Sequence, residues 1–360
     1  MNLRFREPAL SVIVRVSITL CLLVLVSGCE SLQFYQQAAR GQAALWWGQT
    51  PTDELLQSEI DPALRDRIEL AGEILDFAAG IGLPVNGAYQ AYVETGEPYV
   101  VWNVFAAKPY ELALKTSCFP IAGCVTYRGY FKRGDAGRYA KRLEDKGYEV
   151  YVGGVAAYST LGWFNDPLLD TFLFRSDEQL AALLFHELAH RVVYVKDDTR
   201  FNESLATTIE LYALEQWLLA RGESYRFDRY RLSLARRDSV IELIMKARKG
   251  LEVLYDSGLP VAEMEVKKQS IFQEMRDADS LLRAGWTGGE EFYRWMQGPM
   301  SNAKLETVAD YNEWVRPLTA RLEALGFEQF KRELARLASL SRPMREAELT
   351  AFRSTDNTSR

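Results

Sequence analysis

One pentapeptide, HELAH at residues 186–190, contains both histidines of the 360-residue chain. On an α-helix, side chains four positions apart lie on the same face, so His186 and His190 can reach the same metal ion. Glu187 follows the first histidine directly, where it can accept a proton from a water molecule on that ion. The pentapeptide therefore predicts a helix that carries part of a metal centre, and the rest of the fold has to supply the remaining ligand.

A catalytic zinc site typically has three protein ligands and one water molecule. The chain has no third histidine, so the third ligand is a carboxylate or comes from another chain. Glu203 is the best candidate, because it begins the helix after HELAH and an antiparallel return would bring it back to the metal. Its context, NESLA at residues 202–206, resembles the Asn-Glu-Gly-Phe-Ala motif that carries the glutamate ligand in gluzincin aminopeptidases. The alternative is a solvated glutamate that the helix dipole favours in the first turn.

Four residues are weaker candidates for supporting the site. In thermolysin-type gluzincins an aspartate four residues after the ligand glutamate binds the first histidine, and here that position is Thr207. Glu210, two turns after Glu203 on the same helical face, is the alternative partner, unless it forms a structural salt bridge. Tyr158 and Tyr311 are candidates for stabilising an oxyanion. For each tyrosine, the simpler interpretation is an aromatic residue of the core or surface.

The first 28 residues have the parts of a bacterial secretion signal. Three arginines accompany an apolar stretch, residues 16–26, that is short for a bilayer span. The sequence VSGC at residues 26–29 resembles a lipobox, which implies cleavage before Cys29 and attachment of lipid to it. We therefore expect a chain anchored to a lipid bilayer in the bacterial envelope, and Glu30 favours the outer membrane facing the periplasm. The alternative is an uncleaved anchor helix.

Cys118 and Cys124 remain once Cys21 leaves with the signal and Cys29 is lipidated. In an exported protein, two cysteines in so short a loop favour a disulfide. The alternative is a pair of zinc ligands, which would lack partners because both histidines belong to the HELAH segment.

The remaining pattern predicts an α+β fold in which a small twisted sheet precedes the metal-binding helices. A capping box at Ser176 opens the HELAH helix, which we expect to reach about residue 193, and a second helix follows to about residue 221. From residue 225 the pattern is almost wholly helical. β-branched and aromatic residues predict strands at residues 99–105, 124–131 and 148–152, with residues 158–164 as an edge strand.

These elements suggest four regions along the chain. A signal peptide and a membrane tether precede a zincin-like catalytic region, and a mainly α-helical C-terminal half packs on that region. The expected bounds are 1–28, 29–50, 51–222 and 223–360.

Much of the chain resembles a bacterial family of lipoproteins classed as zinc aminopeptidases, which are HExxH zincins of the gluzincin-like type. The resemblance implies a zincin-like catalytic unit, one Zn²⁺ ion and a peptide substrate. It is carried by the lipobox and by residues 102–107, 118–131, 158–164 and 186–206.

We therefore predict a zinc metallopeptidase in which His186, His190 and Glu203 bind the metal and Glu187 is the general base. The net charge of −6 argues against a general nucleic-acid-binding protein. An endopeptidase or a cell-wall peptide hydrolase is the alternative enzyme. The alternative of another class is a non-catalytic envelope lipoprotein with a structural metal site.

Overall fold

A computed structural model of the chain describes residues 33–119, 123–157, 165–286, 293–309 and 314–356. The predicted signal with Cys29, the predicted edge strand with Tyr158, and Tyr311 lie outside these residues. Within the described ranges, no helix is long and apolar enough to cross a membrane. The chain divides into two compact units, one ending at Gly48 and the other beginning at Gln49.

In the first unit, residues 33–47 form a helix, α1. The strands of the second unit are β1 Thr50–Pro51, β2 Ala91–Val93, β3 Val101–Ala107, β4 Ser117–Phe119, β5 Gly123–Val125, β6 Arg128–Tyr130, β7 Glu149–Val155 and β8 Leu168–Leu169. Its helices are α2 Thr52–Gln57, α3 Pro62–Gly80, α4 Arg133–Glu144, α5 Asp170–Leu173, α6 Asp177–Ala189, α7 Thr199–Ala220, α8 Ser224–Tyr255, α9 Val261–Arg283, α10 Tyr293–Gln297, α11 Asn302–Ala309, α12 Val315–Leu325, α13 Phe327–Ser339 and α14 Arg342–Asp356.

The central sheet has the strand order β6-β3-β7, and both outer strands are antiparallel to β3. Helices α4 and α11 pack against β3 and β7. A second small sheet has the order β1-β2-β8, in which β2 is antiparallel to β1 and parallel to β8. This sheet leads through α5 into the HELAH helix.

The predicted strand at residues 124–131 is divided in two by a bend at residues 126–127. The first part, β5, pairs with β4 in a hairpin where Cys118 lies opposite Cys124 and their sulfur atoms are joined at 2.08 Å. The second part, β6, pairs with β3. One continuous strand cannot pair with both β4 and β3, so the chain bends between β5 and β6.

The two helices expected at the metal centre, α6 and α7, pack against each other. α6 ends at Ala189, earlier than expected, and His190 is its C-cap residue. The chain then turns back through a connection held by Asn202, whose side chain accepts from the Val195 N–H at 2.9 Å and donates to the Val195 carbonyl at 2.7 Å. These two hydrogen bonds require the backbone of Val195 to face α7. The helix α6 therefore ends before this residue.

The C-terminal half is mainly helical, which confirms the predicted α+β class. α8 packs on α6 and α7, and α12 packs on α7. A buried apolar cluster joins α8 to α9, with contributions from Ile244, Leu251, Phe272 and Met275. The C-terminal helices are therefore in direct contact with the helices of the HELAH segment.

Candidate metal centre

The capped N-terminus and the buried face of the HELAH helix fix the positions of its two histidines. The Ser176 side chain caps the first turn. Leu184 and Leu188 are fully buried, and their burial sets the rotation of α6 about its axis. His186 and His190 then lie one turn apart with ring centroids separated by 5.0 Å.

Glu203 of α7 faces both histidines. One of its carboxylate oxygens, Oε2, lies 3.3 Å from Nε2 of His186, and the other, Oε1, lies 3.9 Å from Nε2 of His190. The potential ligand atoms of His186, His190 and Glu203 all lie within 4.8 Å of one another. The structure thus brings together the three residues that the sequence nominated as metal ligands.

This donor set fits a zinc ion. Two ligand atoms on a tetrahedral zinc, each about 2.1 Å from it, are roughly 3.4 Å apart, which is close to the distance between His186 and Glu203. Two imidazole nitrogens and a carboxylate form one of the ligand sets of catalytic zinc, and three protein ligands leave a fourth position for water or substrate.

The histidines differ in their electrostatic surroundings. Burial by itself lowers the pKa of His186, but the carboxylates of Glu203 and Glu210 outweigh it and raise that pKa well above its usual value. Burial and the neighbouring His186 lower the pKa of His190 to about 4. For Glu203, burial raises the pKa, but the two histidines lower it overall. The carboxylate is therefore ionised at neutral pH, as a metal ligand must be.

Glu210 contacts the other nitrogen of His186. Its Oε2 atom lies 3.0 Å from Nδ1 of His186, and its Oε1 atom accepts a hydrogen bond of 2.9 Å from the hydroxyl of Tyr230. Among the described residues, no hydrogen bond joins Thr207 to His186. For His190, Nδ1 is buried with no hydrogen-bond partner among the described residues. Among the described residues, a carboxylate thus orients the first histidine but not the second.

The start of α7 is held by a buried ion pair. Asp198 caps the helix by accepting from the Phe201 N–H at 3.2 Å. Its other oxygen accepts from Nη2 of Arg345 at 2.7 Å, and both side chains of this pair are almost fully buried. Arg345 belongs to α14, so the last helix secures the turn that precedes Glu203.

Glu187 is half-buried beside a turn with unusual backbone angles. Tyr89 has a φ of 61° and follows Gly87, whose φ is 79°, so the backbone there is in the left-handed region that tyrosine rarely adopts. Burial raises the pKa of Tyr89 well above its usual value, and the charges of Glu187 and Asp166 raise it further. Tyr89 therefore lies within electrostatic reach of the predicted general base.

Sequence reasoning did not find Tyr230, Tyr89, Asp198 or Arg345. Each acts on the centre from a different element, and none forms a spacing pattern with the HELAH segment. The capping position of Asp198, before the start of a helix, was the one signal that could have identified its local role.

Residues 33–349 match the model of a family described as "Putative aminopeptidase". No curated protein matches the chain, and no solved structure matches it. The matched range includes both sheets, the metal-centre residues and Arg345.

Proposed function

The chain belongs to the family described as "Putative aminopeptidase", and on that premise we propose that it is a zinc-dependent aminopeptidase anchored to the bacterial envelope. The observation that carries the proposal is the cluster of His186, His190 and Glu203, whose ligand atoms lie within 4.8 Å of one another. Glu187 adjoins this cluster on the same helix. A metal ligand set next to a further carboxylate is the arrangement that metal-assisted hydrolysis requires.

His186, His190 and Glu203 would hold the metal. When bound, zinc polarises the scissile carbonyl and makes a water molecule more acidic. Glu187 takes the proton of that water and later delivers it to the leaving amine. Because Glu203 is an anion, the site carries one positive charge less than a site of three histidines.

Glu210 keeps His186 in the form that can bind a metal. A proton on Nδ1 of His186, facing the carboxylate of Glu210 at 3.0 Å, leaves Nε2 with its lone pair directed at Glu203 and the metal position. Tyr230 in turn fixes the carboxylate of Glu210. These two residues orient the ligand and need not touch the substrate.

The test is the hydrolysis of short peptides by the zinc-loaded full chain and by its Glu187→Gln variant. Glutamine preserves the shape of the side chain but cannot accept the proton, so we expect the rate to fall by about 10²–10⁴-fold while the zinc content is unchanged. The exposed Glu215 of α7 supplies the matched control, Glu215→Gln, which should keep full activity. N-acetylated substrates should resist cleavage if the enzyme is an aminopeptidase. Normal turnover by the zinc-loaded Glu187→Gln variant would refute the proposed role.

The envelope anchor is proposed from the sequence, since Cys29 lies outside the described residues. Two or three acyl chains on Cys29 would bind a bilayer firmly, whereas a single chain would not. Mass spectrometry of the N-terminal peptide from membrane-extracted protein should show a lipidated Cys29 as the first residue. An unmodified Cys29 would exclude this anchor without affecting the proposed chemistry.

A further inference from the structure

Helix α1 of the first unit exposes large aromatic side chains. Trp47 is 87% exposed, Trp46 is 47% exposed and Tyr35 is 45% exposed. A buried aromatic side chain removes roughly 150–250 Å² of surface from water, so the exposure of these rings forgoes a large hydrophobic gain. Exposed apolar groups that lie together mark an interaction surface. The question is therefore what covers them.

These rings share one side of the helix. Tyr35 and Trp46 are eleven residues apart, which is close to three turns of an α-helix, and the exposed Ala39 lies between them on the same side. Trp47 adjoins Trp46, and the exposed Arg40 lies two turns before Trp47. We call Tyr35, Ala39, Trp46 and Trp47 the aromatic face of α1. Its rings stand at both ends of the helix.

The segment that contains α1 lacks negative charge. The chain has 49 acidic residues among 360, about one in seven, yet none occurs between Glu30 and Asp53. Arg40 is the single charged residue of that stretch. A bilayer surface with anionic lipids attracts basic segments and repels acidic ones. The charge of this segment therefore suits such a surface, although the chain as a whole carries a net charge of −6.

The length and composition of α1 suit a helix that lies on a bilayer. It covers residues 33–47, which is about 22 Å at 1.5 Å per residue, whereas the apolar core of a bilayer is about 30 Å thick. Glutamines at residues 33, 36, 37 and 42 would lose their hydrogen bonds to water in that core. Tryptophan and tyrosine favour the boundary between headgroups and acyl chains, because their rings are apolar and their N–H and O–H groups are polar.

The position of α1 in the chain brings a bilayer within its reach. The helix begins four residues after Cys29, and four extended residues span at most about 14 Å. Acyl chains on Cys29, as proposed above, would hold the first turn of α1 within that distance of the lipid. A helix that continues along the surface then brings Trp46 and Trp47 to the same bilayer.

We propose that the aromatic face of α1 docks on the bilayer that holds the acyl chains of Cys29, with the rings of Trp46 and Trp47 among the lipid headgroups. This inference rests on the lipid anchor of the proposed function and adds a second point of attachment to it. Arg40 faces the lipid phosphates. The second unit begins at Gln49, two residues after Trp47, so the predicted tether is a surface-bound helix that keeps the start of this unit at the bilayer.

Tryptophan fluorescence of the mature protein tests the docking. The protein is purified from membranes and reconstituted in vesicles of phosphatidylethanolamine and phosphatidylglycerol, with and without bromine on the acyl chains, which quenches tryptophan emission on contact. The difference in emission between the wild type and Trp46→Phe/Trp47→Phe isolates the contribution of the pair. We expect brominated lipid to remove most of that contribution. The matched control is Trp217→Phe: Trp217 of α7 is buried, so the emission that it contributes should not change with brominated lipid.

Emission of the pair that brominated lipid leaves unchanged would overturn the inference. Light scattering and thermal melting of Trp46→Ser/Trp47→Ser in detergent then identify the true occupant of the aromatic face. A wild-type dimer that becomes a monomer in this variant identifies a second copy of the chain. A lower melting temperature at unchanged mass identifies contacts within one chain.

Failure of the docking can be distinguished from failure of the proposed function. If mass spectrometry finds Cys29 unmodified, the anchor fails, and the purified protein is mixed with the same vesicles. Quenching of the pair then supports docking without the anchor, and its absence overturns docking as well. Trp46→Ser/Trp47→Ser should hydrolyse short peptides in detergent as the wild type does, because the metal-centre residues belong to the second unit. A wild type that hydrolyses none of them refutes the peptidase and leaves the fluorescence result standing.

Discussion

The two histidines of the HELAH segment differ in protonation although they are four residues apart. His186 lies between the carboxylates of Glu203 and Glu210, which raise its pKa. His190 is buried and stays neutral, since its pKa is about 4. A metal ion bound at the proposed site would therefore displace a proton from the first histidine only. The carboxylates that attract this proton would also attract the metal.

Glu203 should be essential for metal binding. Glu203→Ala leaves two neutral nitrogen ligands and removes the negative charge from the site, so we expect the zinc affinity to fall by more than about 100-fold. Competition with a coloured chelator measures the affinity. The control is Glu215→Ala, an exposed glutamate on the same helix, which should bind zinc as the wild type does. Retention of zinc by the Glu203→Ala variant during dialysis would show that another residue is the ligand.

Glu210 and Tyr230 should tune the affinity without being ligands. Partners of a ligand histidine typically contribute about 10–100-fold in metal affinity, so we expect a loss in this range for Glu210→Gln. Tyr230→Phe removes only the hydrogen bond to Glu210 and should cost less. The same chelator competition ranks the variants. If Tyr230→Phe lost more zinc affinity than Glu210→Gln, Tyr230 would not act through Glu210 as proposed.

At the scale of elements, α14 secures the start of α7. Arg345 also donates to the carbonyls of Leu337 and Leu340 at 3.1 and 2.9 Å, so its guanidinium is fully engaged. Its pairing with Asp198 joins the last helix to the turn before Glu203, the proposed ligand. The C-terminal half thus helps to support the candidate metal centre.

Arg345→Met should destabilise the protein strongly. It leaves the carboxylate of Asp198 buried without a cationic partner, which costs about 3–5 kcal/mol. Urea unfolding measures the loss. Arg342→Met is the control, because Arg342 forms an exposed pair with Glu346 on the same helix, worth roughly 1 kcal/mol or less.

The double variant Arg345→Met/Asp198→Asn separates the ion pair from the bulk of the side chain. It removes the uncompensated charge, so it should be more stable than Arg345→Met alone. Equal stability of the single and double variants would mean that packing, and not the charge, is what Arg345 provides.

At the scale of the whole molecule, α11 joins the central sheet to the C-terminal helices. Lys304 of α11 is buried, and its ammonium group lies 4.8 Å from the ring centre of Trp295 and 5.8 Å from that of Tyr151. It donates to the carbonyls of Trp295 and Pro299. Among the described residues, this charge contacts neutral carbonyls and aromatic rings and no carboxylate.

Lys304 should make stability depend on pH in the alkaline range. Burial, with a smaller effect of Arg276, lowers its pKa from 10.5 to about 8. Between these values the unfolded chain binds a proton that the folded chain does not, so this group makes the free energy of unfolding rise with pH from about 8 to 10.5. The full rise would be roughly 3 kcal/mol.

Urea unfolding at pH 7 and at pH 10.5 measures this rise as a difference between variants. Lys304→Met should lose it, whereas Lys267→Met, at an exposed position of α9, should keep the pH dependence of the wild type. If both methionine variants follow the same curve, the ammonium group of Lys304 is better solvated than its surroundings indicate.

Local pattern was sufficient for most of the helices and for nominating the candidate ligands. The HELAH spacing, the capping box at Ser176 and the position of Glu203 at the start of the next helix are short-range properties, and the helices α6 and α7 lie where these properties place them. The α+β class followed from the hydrophobic pattern, whose period changes along the chain from that of strands to that of helices. The bend between β5 and β6 was not predicted, because strand composition does not reveal which partner each residue pairs with.

What surrounds the ligands was decided only by the tertiary structure. Tyr230 lies 20 residues from its partner Glu210, and Arg345 lies 147 residues from its partner Asp198. Such contacts depend on how whole helices pack, and packing is governed by shape and burial over many residues at once. The sequence by itself determined which residues could bind a metal, since that depends on spacing within one helix and the next. Only the folded chain determined how those residues are oriented, charged and surrounded, because these properties arise between elements that are distant in sequence.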